Sequence, residues 1–511
     1  MLTIMLISAS PFFSNTIVAA YNDSDESNRG RTSPLSFSAT PPATTYDRHA
    51  TLTIQSTQSL DGVQLECRLN SGEFADCDPS VFIGDVGGEG EYTFTARIKD
   101  DAATEISYTW QILNVFSSGS IDLLPSSQVP NAAEPNSWRG ILRINCDFSH
   151  SSYNDPIVFP GGEDMAHLHR FYGNELIDHN TTMESLLTTG DSTCQGGEFN
   201  RSAYWVPALL APDYDPITNE RNLDEHGDPA WTVVPAVVGT NDEAHEVFYY
   251  STGIDDLDAI QPIPVGLRMI AGDHSTEPGE AQNTSIVRWH CQSWESNDHS
   301  NPQWSSTIPE CAAPDRVRMD IFFPSCWNGT DLDSEDHKSH MAYPIKDSAG
   351  RTVCPDTHPV ALVRPSYHYA YGVKPDVYDP VTHNSKGWRL AADGYEVTAE
   401  NHGGLSLHAD WFNGWNPTIM EAILETCIKQ QYDCHNGNLA NGWRLSEAKE
   451  GTQEEPQIIN RGLGMHHHPT VSPVHLHEMS VQPRHHNISP LPALFSVGII
   501  SCIAFWRLKS G

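Results

Sequence analysis

Tyr92-Thr93-Phe94-Thr95-Ala96-Arg97-Ile98 places apolar side chains at 92, 94, 96 and 98 and polar ones between them. A period of two is that of a strand with one face on a core and the other on water. The same alternation runs through Thr51-Leu52-Thr53-Ile54, Val63-Gln64-Leu65-Glu66-Cys67 and Tyr108-Thr109-Trp110-Gln111-Ile112. Gly- and Asp-containing turns separate these runs, so they read as antiparallel strands of a small β-sandwich over residues 47–114. Residues 21–46, rich in Ser, Thr, Asn, Pro and Asp, read as a linker, and so do 115–134. Beyond them, 135–431 form a main domain of many short β-type runs, among them Ile141-Leu142-Arg143-Ile144 and Arg318-Met319-Asp320-Ile321-Phe322-Phe323. One helix stands out. Asn416-Pro417 supplies its start, and Ile419, Ile423 and Cys427 fall at i, i+4 and i+8. The expected class is mainly β: a small sandwich, then a large β-rich domain stapled by disulfides, with minor helix.

Charge removes whole classes of function. Among 511 residues, 29 Lys+Arg face 66 Asp+Glu, a formal charge of −37. A nucleic-acid binder needs a basic face, and so does a protein that adheres to anionic lipid. Neither is expected here. No Gly-rich phosphate loop followed by Lys-Ser/Thr and no Gly-x-Ser-x-Gly elbow occurs.

Export is expected from both ends and from the cysteines. Residues 1–20 read as a signal peptide, apolar from Leu2 to Ile7 and ending Val18-Ala19-Ala20. Ten of eleven cysteines lie between Cys67 and Cys434, and an even number in an exported body implies disulfides. Pairing of nearest neighbours gives Cys67–Cys77, Cys146–Cys194, Cys291–Cys311, Cys326–Cys354 and Cys427–Cys434. Residues 432–488 read as a polar stalk carrying His466-His467-His468, His475, His477 and His485-His486, a tract suited to capturing metal. Residues 489–511 read as an anchor or sorting segment. Leu491–Trp506 is uncharged, but at about 1.5 Å per residue its sixteen residues reach roughly 24 Å, short of a bilayer core of about 30 Å. Any membrane contact is expected through this segment alone.

Three segments of the main domain concentrate chemistry. In Ala166-His167-Leu168-His169-Arg170, the two imidazoles share a face if the chain is extended. In Leu407-His408-Ala409-Asp410-Trp411, His408 and Asp410 do the same. Asp336-His337-Lys338-Ser339-His340 adds a third imidazole. His167, His169, His408, Asp410 and His340 together make an N/O ligand set suited to Zn, Mn, Fe or Cu. The same residues also suit acid–base work without metal, with Arg170 or Lys338 holding an anion. The catalytic set under either reading is His167, His169, His408, Asp410 and Lys338. The alternative is a structural His/Asp network in a polar β core. Trp205, Trp289, Trp327, Trp411 and Trp415 are available either to the core or to stacking on sugar rings.

Two resemblances add to this reading. Residues 66–77 with the strands at 92–97 and 107–110 resemble immunoglobulin-like modules of exported bacterial proteins, which act as spacers or weak binders. The His segments, with Tyr204-Trp205-Val206-Pro207, Pro264-Val265-Gly266-Leu267-Arg268-Met269-Ile270-Ala271-Gly272 and Phe323-Pro324-Ser325-Cys326-Trp327-Asn328-Gly329, resemble a secreted domain of fungi and bacteria. It is number nineteen-ninety-six among the domains of unknown function. That resemblance implies secretion, disulfides and the company of modules that bind cell wall or carbohydrate, and this chain departs from the common pattern by carrying Lys338 where Arg is usual. The expected function is that of an exported, surface-held carbohydrate-active hydrolase acting on extracellular polysaccharide or cell-wall material. The alternatives are a non-catalytic surface binder or adhesin, and a metal-capture protein.

Overall fold

A computed structural model describes residues 33–133, 140–236, 246–292, 303–449 and 451. The chain divides at Met465, and the second unit, His466–Gly511, lies outside the described residues, as do residues 1–32. The signal peptide, the His-rich tract and the C-terminal segment therefore fall outside them. Among the described residues no helix is long and apolar enough to cross a membrane.

The protein is mainly β. At its N-terminal side the strands Leu35–Ala39, Ala50–Ser56 and Ser80–Ile83 form one sheet. Thr44–Thr45, Ile106–Ile112, Gly90–Ile98, Leu65–Leu69 and Ala75–Cys77 form another. The alternation in sequence becomes an alternation in space. Leu52, Ile54, Leu65, Phe94, Ala96, Trp110 and Ile112 are buried in one shared core. On the outer face the cross-strand hydroxyls of Thr93 and Thr109 meet at 2.8 Å.

The expected linker 21–46 is corrected here: Leu35 is buried, Phe37 packs on the same core, and both lie on a strand paired to Ala50–Ser56. Two apolar residues in a polar stretch carry too little periodicity to reveal an edge strand. Arg48 joins this sandwich to the larger domain. Its guanidinium forms a bidentate pair with Asp85 at 2.8 Å and reaches Glu421 at 2.7 Å.

The larger domain packs two sheets face to face. The first has seven strands, in the order Asn131–Ala132, Tyr432–Cys434, Ile141–Cys146, Glu246–Ser251, Arg364–Gly372, Arg316–Phe322, Val287–Gln292. The second has five: Phe148–Ser152, His169–Gly173, Ala203–Pro207, His408–Phe412, Arg268–Gly272. Between them lie Leu142, Ile144, Phe248, Tyr250, Met319, Ile321, Tyr367 and Tyr369 from the first sheet, and Tyr172, Tyr204, Met269 and Trp411 from the second. Buried tyrosines need partners for their hydroxyls. Tyr204 and Tyr250 supply each other at 2.6 Å, Trp415 donates to Tyr250 at 2.8 Å, and Tyr367 donates to the Asp410 carbonyl at 2.8 Å.

Both expected edges of this domain move outward. Leu123–Pro125 and Asn131–Ala132, expected in a linker, pair with Trp443–Leu445 and Tyr432–Cys434, expected in the stalk. The helix begins as its sequence indicates, at Pro417 with Asn416 capping the Thr418 N–H at 3.0 Å. After Ala422 it widens into a π-helical stretch, Ile423–Ile428. All five disulfides join nearest neighbours.

Candidate metal centre

The five-stranded sheet has two unlike faces. Tyr172, Tyr204, Met269 and Trp411 point inward, while Phe171, Trp205, Ile270 and Phe412 point outward onto a second cluster with Ile157, Ile177 and Leu186. By alternation, His169, His408 and Asp410 belong to the outward face. Trp205 is the register partner of Asp410, and Ile270 pairs with Asp410 from the other side.

On that face two of the three His segments converge. Ring centroids are 4.2 Å apart for His167 and His169, 5.0 Å for His167 and His408, and 5.9 Å for His169 and His408. One ligand atom each from His167, His169 and His408 lies within 4.8 Å of the others. The same holds for Asp155, His169 and Asp410. Two ligands about 2.1 Å from one ion stand at most about 4.2 Å apart, so small side-chain adjustments close either group around a cation.

Hydrogen bonds set the tautomers. His169 donates from Nδ1 to the Asn154 carbonyl at 3.0 Å, and His408 from Nδ1 to the Ser406 carbonyl at 2.8 Å. Each therefore turns a lone pair on Nε2 toward the cluster, the arrangement in which metal-ligating histidines are held. The His408 Nε2 is 3.9 Å from Asp410 Oδ2. His169 Nε2 and both Asp410 oxygens are buried with no hydrogen-bond partner. Burial, then the neighbouring His169, holds the His408 imidazole well below its usual range, and burial lowers His169 as well. Burial, then the Asp155 charge, pushes the Asp410 carboxyl well above the carboxylate range. Burial thus disfavours a proton on the His169 and His408 imidazoles and disfavours a bare Asp410 carboxylate, and a metal ion would take the lone pairs and supply the missing positive charge.

Not every expected residue arrives. His340 does not join the cluster: it donates from Nε2 to the Arg268 carbonyl at 2.7 Å, and its Nδ1 meets Ser334 Oγ at 2.9 Å. Both ring nitrogens are engaged, so His340 supports the fold beside the site. Arg170, one residue beyond His169, takes the opposite face, its guanidinium 4.0 Å over the Phe148 ring and its Nε donating to the Tyr172 hydroxyl at 3.3 Å. Lys338 stands beside the site, its ammonium donating to the Gly272 carbonyl at 3.0 Å, and Gly272 is the register partner of His408. Only glycine fits at 272: its φ is +83°, and an added Cβ would strike the Leu407 carbonyl. Trp205, Trp289, Trp411 and Trp415 are all fully buried, which assigns them to the core rather than to stacking on sugars.

Sequence reasoning missed two carboxylates. Asp155 is buried and accepts the Ile157 and Val158 N–H groups through Oδ1 at 2.8 and 2.9 Å, which fixes it facing His169. Asp393 acts at one remove. Its Oδ1 accepts from Ser406 Oγ at 2.7 Å and Ser406 N at 3.2 Å, and its Oδ2 accepts from Gly404 N at 2.7 Å and Leu390 N at 2.9 Å. The Ser406 carbonyl so placed receives the His408 Nδ1 proton. Asp393→Asn turns an NH2 group toward these donors and lets His408 rotate. The expected result is metal affinity about 10- to 100-fold weaker with one ion per chain still bound at saturation, read by chelator competition. Unchanged affinity would show that Asp393 serves the loop alone.

Fold and site together define a disulfide-stapled β protein with a buried His/Asp cluster on one sheet face. Residues 155–415 match the family described as domain of unknown function DUF1996, and the chain belongs to that family. The matched span opens at Asp155 and holds every donor of the cluster. Comparison with curated proteins and with solved structures gives no match.

Proposed function

We propose that the protein is an exported hydrolase in which His167, His169, His408 and Asp410, with Asp155 as a second carboxylate, hold a divalent transition metal. That ion activates water against an extracellular polysaccharide or cell-wall polymer. The observation that carries the reading is the set of buried atoms, His169 Nε2 and both Asp410 oxygens, that lack a hydrogen-bond partner. Leaving such groups unsatisfied costs about 1–3 kcal/mol each, and a cation removes the cost. Three imidazoles and two carboxylates suit Zn, Mn or Fe, with Cu also within the donor chemistry.

A catalytic ion needs one position open to water. His169, His408, Asp155 and Asp410 are buried, whereas His167 is half-buried and His274, 5.9 Å from His408, is exposed, so one side of the cluster faces solvent. The disulfides fit an oxidising, extracellular setting. In this reading residues 1–20 direct export, the immunoglobulin-like sandwich presents the catalytic domain, and the C-terminal segment holds it at the surface.

The test compares metal-loaded, chelated and reloaded protein on cell-wall polysaccharide, following new reducing ends. Release that disappears with chelation and returns with metal is expected. Retention on the polymer without release would overturn the hydrolase reading and favour a surface binder.

A further inference from the structure

We infer that Lys338 makes the open side of the cluster a recognition point for an oxyanion, so that the substrate unit taken up there carries a carboxylate or sulfate. This deepens the metal-centre reading and rests on it. Lys338 rides on a turn that Asp336 staples by accepting the Ser339 N–H at 2.8 Å, the Lys338 N–H at 3.1 Å and the Ser334 hydroxyl at 2.8 Å. One oxygen of the nearest carboxylate in sequence, Asp336 Oδ1, is thereby engaged within the turn.

The Lys338 ammonium has three N–H donors and spends one on Gly272. Gly272 lies directly across from His408, which brings the ammonium to the edge of the ligand set, where both Asp410 and His408 feel its charge. Among the described residues Lys338 forms no ion pair, although acids outnumber bases more than two to one in this chain.

The charges at the opening bear on the ligand class. A divalent ion held by Asp155 and Asp410 is neutralised by them, which leaves the half-exposed Lys338 as the cation at the opening, with the exposed Asp273 carboxylate near enough to feel its charge but not paired with it. The rest of a protein of charge −37 repels anions. An unpaired ammonium placed there favours an anionic group over a neutral hydroxyl, and its two remaining N–H groups point-bind carboxylate or sulfate oxygens.

The experiment titrates the metal-loaded full chain calorimetrically with an oligogalacturonide, a sulfated oligosaccharide and a neutral cello-oligosaccharide, in parallel with Lys338→Met and Lys338→Arg. Metal content of each sample is measured by plasma mass spectrometry. The inference expects at least one charged probe to bind about tenfold or more tightly than the neutral one. It expects Lys338→Met to lose that advantage, Lys338→Arg to keep most of it, and all three proteins to hold equal metal. Binding of one charged probe only identifies the oxyanion. Equal affinities for charged and neutral probes, no binding of either charged probe, or an unchanged advantage in Lys338→Met overturns the inference. Failure of the metal-centre reading shows itself separately, as a parent whose metal content is no higher than that of a full-chain His408→Ala variant carrying the same His-rich tract.

Discussion

His408→Ala is expected to lower metal affinity by at least 100-fold, about 3 kcal/mol, while His340→Ala leaves it within about threefold. The two histidines stand in similar sequence settings, each near a carboxylate and a basic or aromatic residue, so the contrast tests geometry and not composition. His408 offers Nε2 to the cluster because Nδ1 is tied to the Ser406 carbonyl. His340 has neither nitrogen to offer, since Arg268 and Ser334 take both. Metal that binds the folded state alone stabilises it by about 4 kcal/mol at a thousandfold excess over Kd. The parent therefore unfolds at a higher temperature with metal than without, and this increment should vanish in His408→Ala. In His340→Ala the increment should persist on a lower baseline, because two part-buried hydrogen bonds are lost. Equal loss of metal in both variants would contradict the assignment.

Removing the Cys146–Cys194 bridge by paired Cys→Ser substitution is expected to cost about 4 kcal/mol, the largest single stability effect among the five disulfides. Its residues are 48 apart in sequence, the widest separation of the five. Both are fully buried in the core between the two large sheets. Cys146 ends a strand of the seven-stranded sheet, and next to Cys194, Thr193 bonds Gly173 at the end of the His169 strand. Cys427–Cys434, with a separation of 7, should cost about 2 kcal/mol on the same chain-entropy argument. Urea unfolding of the two variants beside the parent measures the difference. A larger loss from the shorter loop would contradict this ranking.

Much of the fold is legible in the chain because it rests on local patterns. Period-two runs such as Tyr92–Ile98 become strands, and adjacent cysteines pair. What escapes is non-local. Leu123–Pro125 and Trp443–Leu445 are three-residue strands that find each other across some three hundred residues, and neither carries a periodicity of its own. Leu35 and Phe37 fail for the same reason, being an edge strand in a polar stretch.

The site divides along the same line. His408-x-Asp410 is visible because strand geometry puts the pair on one face, and His167 reaches the cluster from the segment just before the strand that His169 opens. Asp155 is one of 66 acidic residues and gains its role only through a turn that packs it against His169. Asp393 acts through Ser406, a contact between loops that no spacing encodes. The exclusion of His340 depends on a carbonyl 72 residues away in sequence.

The central claim is that the buried His/Asp cluster holds a metal ion, and elemental analysis with X-ray absorption tests it most directly. The protein would be made through an oxidising compartment, without a His-tag and with 464–487 deleted so that the His-rich tract contributes nothing. The account predicts about one divalent transition-metal ion per chain after dialysis, with imidazole nitrogen and carboxylate oxygen in its coordination shell. A folded, disulfide-intact protein that holds no metal, even after incubation with Zn, Mn, Fe or Cu, would contradict it.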